Sequence, residues 1–382
     1  MTDQTKNISD ESLAVHKKLR GKITISSKDS VSDKEKLSLY YTPGVGAVSS
    51  FVATNPEQAR DYTWLNNTVA VISDGSAVLG LGNLGPIGAL PVMEGKAMLF
   101  KQFAGIDGIP IVLDVHTADE IVTAVKAIAP SFGAINLEDI AAPICFEVEE
   151  RLKNDLNIPI MHDDQHGTAI VVLAGLINAM KVTGQKLSDA KIVVVGAGAA
   201  GTAIIKLLNL YAKPAIFAVD SKGVINPNRT DLNDEKKSLL SYTNPDGSDG
   251  SLEDIIKGAN IFIGVSQPGL LTKKMIESMA KDPIIFALAN PTPEVMPDIA
   301  KSAGAAVVAT GRSDFTNQVN NALAFPGIFR GALDNRVNKI TDGHKIAASE
   351  VIAGFIENPT ADEIIPSIFV DGLAQKIAEV IK

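Results

Sequence analysis

The sequence predicts an α/β fold in two domains, each built on a largely parallel sheet. Three observations predict it. Short apolar runs alternate with amphipathic stretches along the whole chain, the pattern of repeated β-α-β units. A glycine-spaced turn at 196–201 joins an apolar run to a helix, and about half of the 382 residues precede it. That length exceeds one ordinary core, so the preceding half needs a domain of its own. The division is expected near Asn157. Residues 1–157 then form an N-terminal α/β catalytic domain and residues 158–382 a Rossmann-type, doubly wound dinucleotide-binding domain.

In chain order the expected strands are 69–73, 111–115, 158–161, 191–195, 215–219, 261–265, 284–287 and 306–309, each a short apolar run bounded by turn residues. The expected helices include 119–128, 143–154, 168–183 and 201–211. The polar, Gly- and Asp-rich stretch 241–251 reads as a surface loop.

Composition narrows the function classes. With 46% hydrophobic and 21% charged residues, the chain has the make-up of a folded globular protein. Its 35 Lys and Arg against 44 Asp and Glu give a formal charge of −9, with no basic block; nucleic acid and anionic membrane are not expected partners. The single cysteine, Cys145, excludes a disulfide framework and suits a reducing cytoplasm. Residues 1–20 are polar and carry no signal-peptide core. The charge-free run 75–93 is broken by Gly75, Gly80, Gly82, Gly85, Gly88, Pro86 and Pro91, which is unsuited to a membrane helix. A cytoplasmic location is expected.

The strand 191–195 runs into V-G-A-G-A-A-G. Gly196, Gly198 and Gly201 have the G-x-G-x-x-G spacing, with Ala199 and Ala200 between the last two. The first glycine permits the tight turn, the second lets backbone approach a pyrophosphate, and the third lets the helix lie close on the strand. A second strand ends at Asp220, 19 residues after Gly201, where a carboxylate can accept from ribose hydroxyls. Asp220 would repel a 2′-phosphate and favours NAD over NADP, while Lys222 works the other way.

Two acidic pairs follow apolar runs: Glu138-Asp139 in A-I-N-L-E-D-I, and Asp163-Asp164 in M-H-D-D-Q-H-G-T. Adjacent carboxylates repel unless a cation lies between them, and an all-oxygen set suits Mg²⁺ or Mn²⁺. Alternatively, Asp139 and Asp164 are helix N-caps. His162 and His166 are four apart, as zinc ligands on a helix are, but without the H-E-x-x-H glutamate they read better as polar loop residues. Tyr40-Tyr41 runs into a Pro/Gly turn. The stretch 74–101 begins with a glycine-dense, apolar loop that is costly in entropy unless close backbone approach is needed, and Lys96 stands at the expected start of the helix after it. An apolar setting there would depress the lysine pKa toward that of a base; a solvated helix-start lysine is the plainer reading. Asn290, in A-N-P-T-P, and Asn320-Asn321 offer amides suited to carboxylate or carboxamide recognition, or serve as turn residues.

Together the blocks Y-Y-T-P-G-V-G, D-G-S-A-V-L-G-L-G-N-L-G, P-V-M-E-G-K, N-L-E-D, D-D-Q-H-G-T, V-V-G-A-G-A-A-G, A-N-P-T-P-E and N-Q-V-N-N-A-L-A-F-P-G resemble the malic enzymes in their short bacterial form. The resemblance covers essentially the whole chain. It implies oxidative decarboxylation of (S)-malate to pyruvate and CO₂ with NAD or NADP and Mg²⁺ or Mn²⁺, by a homodimer. It implies Tyr41 as general acid and Lys96 as general base with Asp163 beside it. It implies Glu138, Asp139 and Asp164 as metal ligands, and Asn290, Asn320 and Asn321 as contacts to substrate or nicotinamide. One departure is Ala77, which stands where larger members carry a substrate-gripping arginine; carboxylate binding then falls to metal, asparagines or backbone amides. The same residues would serve a malolactic-type reaction with retained NAD. A non-catalytic NAD(H) sensor should lack the acid, the base or the carboxylates.

Overall fold

The structure is a computed structural model describing residues 3–78 and 81–382, with side chains from Ile8 onward. Leu79 and Gly80, in the glycine-dense stretch, lie outside the described residues. Two sheets organise the chain. The first holds β1 (Thr68–Ser73), β2 (Asp107–Val112), β3 (Ala134–Leu137) and β4 (Ile160–His162) in the order β2-β1-β3-β4, all parallel. The second holds β5 (Lys191–Val195), β6 (Ala215–Asp220), β7 (Gly223–Val224), β8 (Ile261–Gly264), β9 (Ile284–Ala287) and β10 (Val307–Thr310). Its order is β10-β9-β8-β5-β6-β7, parallel except for β7. The strand order reverses at β5, which pairs with β6 on one side and β8 on the other. A crevice opens at such a switch point, beyond the carboxyl ends of the strands.

Register sets the chemistry of the first sheet. Ile72 of β1 lies opposite Leu137 of β3, and Leu137 lies opposite His162 of β4. The residues that follow, Asp74, Glu138-Asp139 and Asp163-Asp164, therefore leave the sheet at one edge. β3 escapes the sequence reading because its A-I-N-L run is four residues long with polar Asn136 inside.

The helix Asp163–Thr183 leaves β4 directly and is buried over most of its length between the sheets. By length and apolar character it could cross a membrane, but 67% of its most apolar window is buried inside the protein, as for a core helix. It starts five residues before the expected 168. Extended His162 is its N-cap, and two aspartates in its first turn favour the helix dipole. Gly167 belongs inside it, since a Cβ there would lie 2.0 Å from Asp163 Oδ1. The chain then returns: the helix Phe325–Asp334 packs on the helix Gly85–Ala104, with Phe100 edge-on to Phe325 and Phe329 at centroid distances of 4.7 and 5.3 Å.

Candidate active site

Lys96 lies in the middle of the helix Gly85–Ala104, not at a helix start. The glycine-dense loop before it is built on close approach, because a Cβ at Gly75 (φ +72°) would lie 2.1 Å from the Gly85 carbonyl. The helix thereby directs a lysine only 8% exposed onto the carboxylate edge of the first sheet. Its Nζ is 2.6 Å from Asp163 Oδ2 and 2.8 Å from Glu138 Oε1, and 4.4 Å from the Phe325 ring centroid. Asn136 Nδ2 donates to Glu138 Oε2 at 2.9 Å, and Ser76 Oγ donates to Asp74 Oδ1 at 2.6 Å while accepting from Ala141 N–H at 2.8 Å. The loops after β1 and β3 are thus tied together.

Glu138, Asp139 and Asp164 each present an oxygen within 4.8 Å of the others. Asp139 turns through φ +54°, and its N–H donates to Asp164 Oδ2 at 2.7 Å. The N-cap alternative falls: the caps of the two following helices are Pro143 and His162. Three carboxylates, Asp163, Glu138 and Asp164, thus face one ammonium, and the all-oxygen set of Glu138, Asp139 and Asp164, this close together, fits a hard divalent cation. Burial raises the pKa of Glu138, Asp164 and Asp163, the last to about 7. The expected depression of Lys96 is overturned. Burial does push it down, but Asp163, Glu138 and Asp164 outweigh that and hold the ammonium above its ordinary pKa.

The histidines diverge and are buried or half-buried rather than in a loop. His166 Nε2 is 2.8 Å from Glu149 Oε2, whereas the His162 ring is fully buried with Nδ1 3.9 Å from Asp164 Oδ2. Asn321 stands against the first turn of the helix Asp163–Thr183, since a Cβ at Gly167 would come 3.0 Å from its own Cβ. Asn320 accepts from Ala322 N–H at 2.9 Å, capping a short turn. Asn290, exposed past β9, follows the same strand edge beside Gly311. Tyr41 is not gathered into the site within one chain: it is 67% exposed on the N-terminal arm, and Lys96 bonds to carboxylates instead.

At the switch point the glycines behave as their spacing demands. A Cβ at Gly201 would lie 1.8 Å from the Gly196 carbonyl, and one at Gly196 (φ +109°) 2.6 Å from the Val265 carbonyl. One at Gly198 would meet no atom within 4 Å, which leaves that backbone open to a phosphate. Asp220 reaches the crevice occupied. Lys222 N–H and Arg229 Nη1 donate to its Oδ1 at 2.9 and 2.8 Å, and Arg229 Nη2 and Lys236 Nζ to its Oδ2 at 3.1 and 2.6 Å. Four donors match the roughly four lone-pair sites of a carboxylate. The pKa falls to about 2 because these donors outweigh burial.

Sequence reasoning missed Phe325, Asn136, Arg229, Lys236 and Glu294. Glu294 is fully buried and accepts from Ser266 and Ala289 N–H at 3.0 and 3.1 Å, stapling the loops after β8 and β9. Only Asn136, two residues from Glu138 and so on the same side of a strand, carries a local signal.

Residues 20–120 and 116–153 match the family described as malic enzyme, N-terminal domain, and residues 165–382 match malic enzyme, NAD binding domain. The chain belongs to the malic enzyme family. It is 54% identical over 378 residues to the bifunctional malic/malolactic enzyme of Bacillus subtilis (strain 168), covering 98% of this chain and 92% of that one. The NAD-dependent malic enzyme of Geobacillus stearothermophilus is 50% identical over 377 residues, covering 98% and 78%. The crystal structure of NAD-dependent malic enzyme from Thermotoga maritima superposes with TM-score 0.94 at 50% identity, covering 97% and 98%. The α/β architecture and the Rossmann-type second sheet are thus those of malic enzymes.

Proposed function

We propose that the chain catalyses the divalent-metal-dependent oxidative decarboxylation of (S)-malate to pyruvate and CO₂ with reduction of NAD(P)⁺, NAD being favoured, and decarboxylates oxaloacetate at the same site. The observation that carries this reading is the buried Lys96, ion-paired to Asp163 and Glu138 beside the Glu138, Asp139 and Asp164 cluster. It lies in one chain with a glycine turn open to a pyrophosphate.

Glu138, Asp139 and Asp164 would hold the cation. When bound it supplies Lewis-acid polarisation of the substrate oxygens and offsets the negative charge that keeps Lys96 protonated. The Gly196, Gly198, Ala199, Ala200 and Gly201 turn would hold the dinucleotide by its pyrophosphate, and the nicotinamide would supply the hydride acceptor. Lys96, in its neutral amine form, takes the C2 hydroxyl proton at Nζ, and Asp163 and Glu138 stabilise the resulting ammonium. Asn290, Asn320 and Asn321 orient carboxylate and carboxamide groups. Tyr41 returns a proton to C3 after CO₂ leaves.

A homodimer is the proposed assembly, in the cytoplasm. Ile8, Leu13, Ile25, Leu39, Tyr41 and Phe51 are exposed on the N-terminal arm, apolar surface that a second copy would cover. Such a copy also offers Tyr41 a lysine it does not meet within one chain. The malolactic reading is supported by the likeness to the bifunctional relative. Malate-dependent NADH formation, measured with and without Mn²⁺, tests the main reading. Lactate release without net NADH would select the malolactic one, and neither product would sink both.

A further inference from the structure

At the opposite edge of the first sheet lies a cavity of about 300 Å³ lined by Lys28, Arg60, Asn67, Arg330, Asp334 and Arg336 among others. Asn67 immediately precedes β1, and Arg60 Nη2 donates to the Gly133 carbonyl, just before β3, at 2.9 Å. The cavity therefore faces the amino ends of strands whose carboxyl ends carry the catalytic carboxylates.

Its charge runs against that of the protein. The chain carries −9, yet Lys28, Arg60, Arg330 and Arg336 converge here. Three carboxylates answer them, of which Asp107 acts on Lys28 and is itself paired with Lys101 Nζ at 2.7 Å. Asp334 accepts from Arg330 Nε at 2.9 Å and from its Nη2, and Asp61 accepts from Arg336 Nη2 at 2.6 Å. Five cations, Lys101 included, against three carboxylates leave a charge of +2. Among the described residues no carboxylate pairs with Arg60, which is half-buried and spends Nη2 on a neutral carbonyl. Burial and, after it, the facing Arg336 guanidinium lower its pKa from the ordinary value. Arg330 is fixed from both ends, by Asp334 and by Asn67 Oδ1, which accepts from its Nη1 at 2.6 Å. Planar guanidinium groups held rigid with N–H donors to spare suit an oxyanion.

We propose that this cavity is a binding site for a small dianionic oxyanion, a phosphate or a short dicarboxylate, separate from the catalytic centre. The charge of +2 matches such a ligand, and the free donors of Arg60 with Lys28 and Arg336 hold it. The site also has a mechanical path to the chemistry. Arg330 lies in the last turns of the helix Phe325–Asp334, whose first residue, Phe325, packs under Lys96.

The test is calorimetric titration of the full-length protein with inorganic phosphate and, separately, with succinate, first without divalent metal, when the carboxylates Glu138, Asp139, Asp163 and Asp164 of the catalytic edge repel an anion, and then with Mn²⁺. Binding of either anion without metal is expected, with Arg60→Met weakening it about tenfold or more and Arg336→Gln to a lesser degree. Arg336 is exposed, so its variant keeps the test open if loss of the Arg60–Gly133 bond impairs folding. Phosphate binding without succinate binding would identify the ligand as a phosphate, and the converse as a dicarboxylate. Binding that requires Mn²⁺, or variants that bind within about twofold of wild type, would overturn the proposal. None of these readouts depends on the proposed reaction.

Discussion

Replacing Lys96 with methionine keeps the stem over Phe325 and removes only the ammonium, so its effect isolates the charge. The wild-type ion pairs are 2.6 and 2.8 Å long and lie in a site 8% exposed at the lysine. Deleting one partner of such a buried pair leaves uncompensated carboxylates and costs ~3–5 kcal/mol of stability. The sign with pH follows from proton binding. Asp163 already titrates near 7 with the ammonium beside it, and without it the carboxylate rises further. Between the unfolded carboxylate value and that raised one, the folded variant binds more protons than its unfolded chain, so its stability falls as pH rises. The variant is expected to be less destabilised at about pH 5 than at about pH 8. Its kcat with malate should fall by roughly 10²–10⁴, the usual contribution of a general base, while NAD binding persists. Steady-state NADH formation, a nucleotide fluorescence titration and urea unfolding at both pH values measure all three. Retention of more than about a tenth of wild-type kcat would refute the base assignment. Equal destabilisation at the two pH values would refute the electrostatic account.

Asp164→Asn should raise the Mn²⁺ concentration needed for half-maximal rate by about tenfold or more, because one of three anionic ligands becomes neutral; an unchanged metal titration would remove Asp164 from the site. Gly201→Ala forces a Cβ to within 1.8 Å of the Gly196 carbonyl. It should therefore abolish detectable NAD binding while secondary structure by circular dichroism survives, and retained binding would show that the turn is not the nucleotide seat. The Asp220 carboxylate, held down to about 2, contributes stability that is complete above the unfolded value near 4 and lost as pH falls through 2. Asp220→Asn should therefore lose less stability across that acid window than wild type, measured as urea unfolding free energy against pH. Because Arg229 and Lys236 already offset Asp220, the preference for NAD over NADP should be modest, and Lys236→Gln should widen it in kcat/KM with the two cofactors.

The glycine turn was legible without any structure. Strand 191–195 and the spacing of Gly196, Gly198 and Gly201 are local, and each glycine answers a contact made by its own turn or the adjacent strand. The acidic pairs were legible as chemistry, since Glu138-Asp139 and Asp163-Asp164 follow apolar runs. Their convergence was not, because it depends on Leu137 lying opposite His162, a register that no local pattern encodes. The charge state of Lys96 was decided by the same pairing. Its apolar neighbours in sequence argue for a depressed pKa, but the residues that touch it, Glu138 just after β3 and Asp163 just after β4, lie 42 and 67 positions away and reverse the sign. Asp220 was placed correctly at a strand end, yet its partners Arg229 and Lys236 reach it from outside the strand and turn an open acceptor into an occupied one. The sequence determined which residue types could do the work and the local geometry of the turn. The tertiary structure decided which charges stand within 3 Å of one another, because electrostatic energy falls with distance and rises with burial, and only packing sets either.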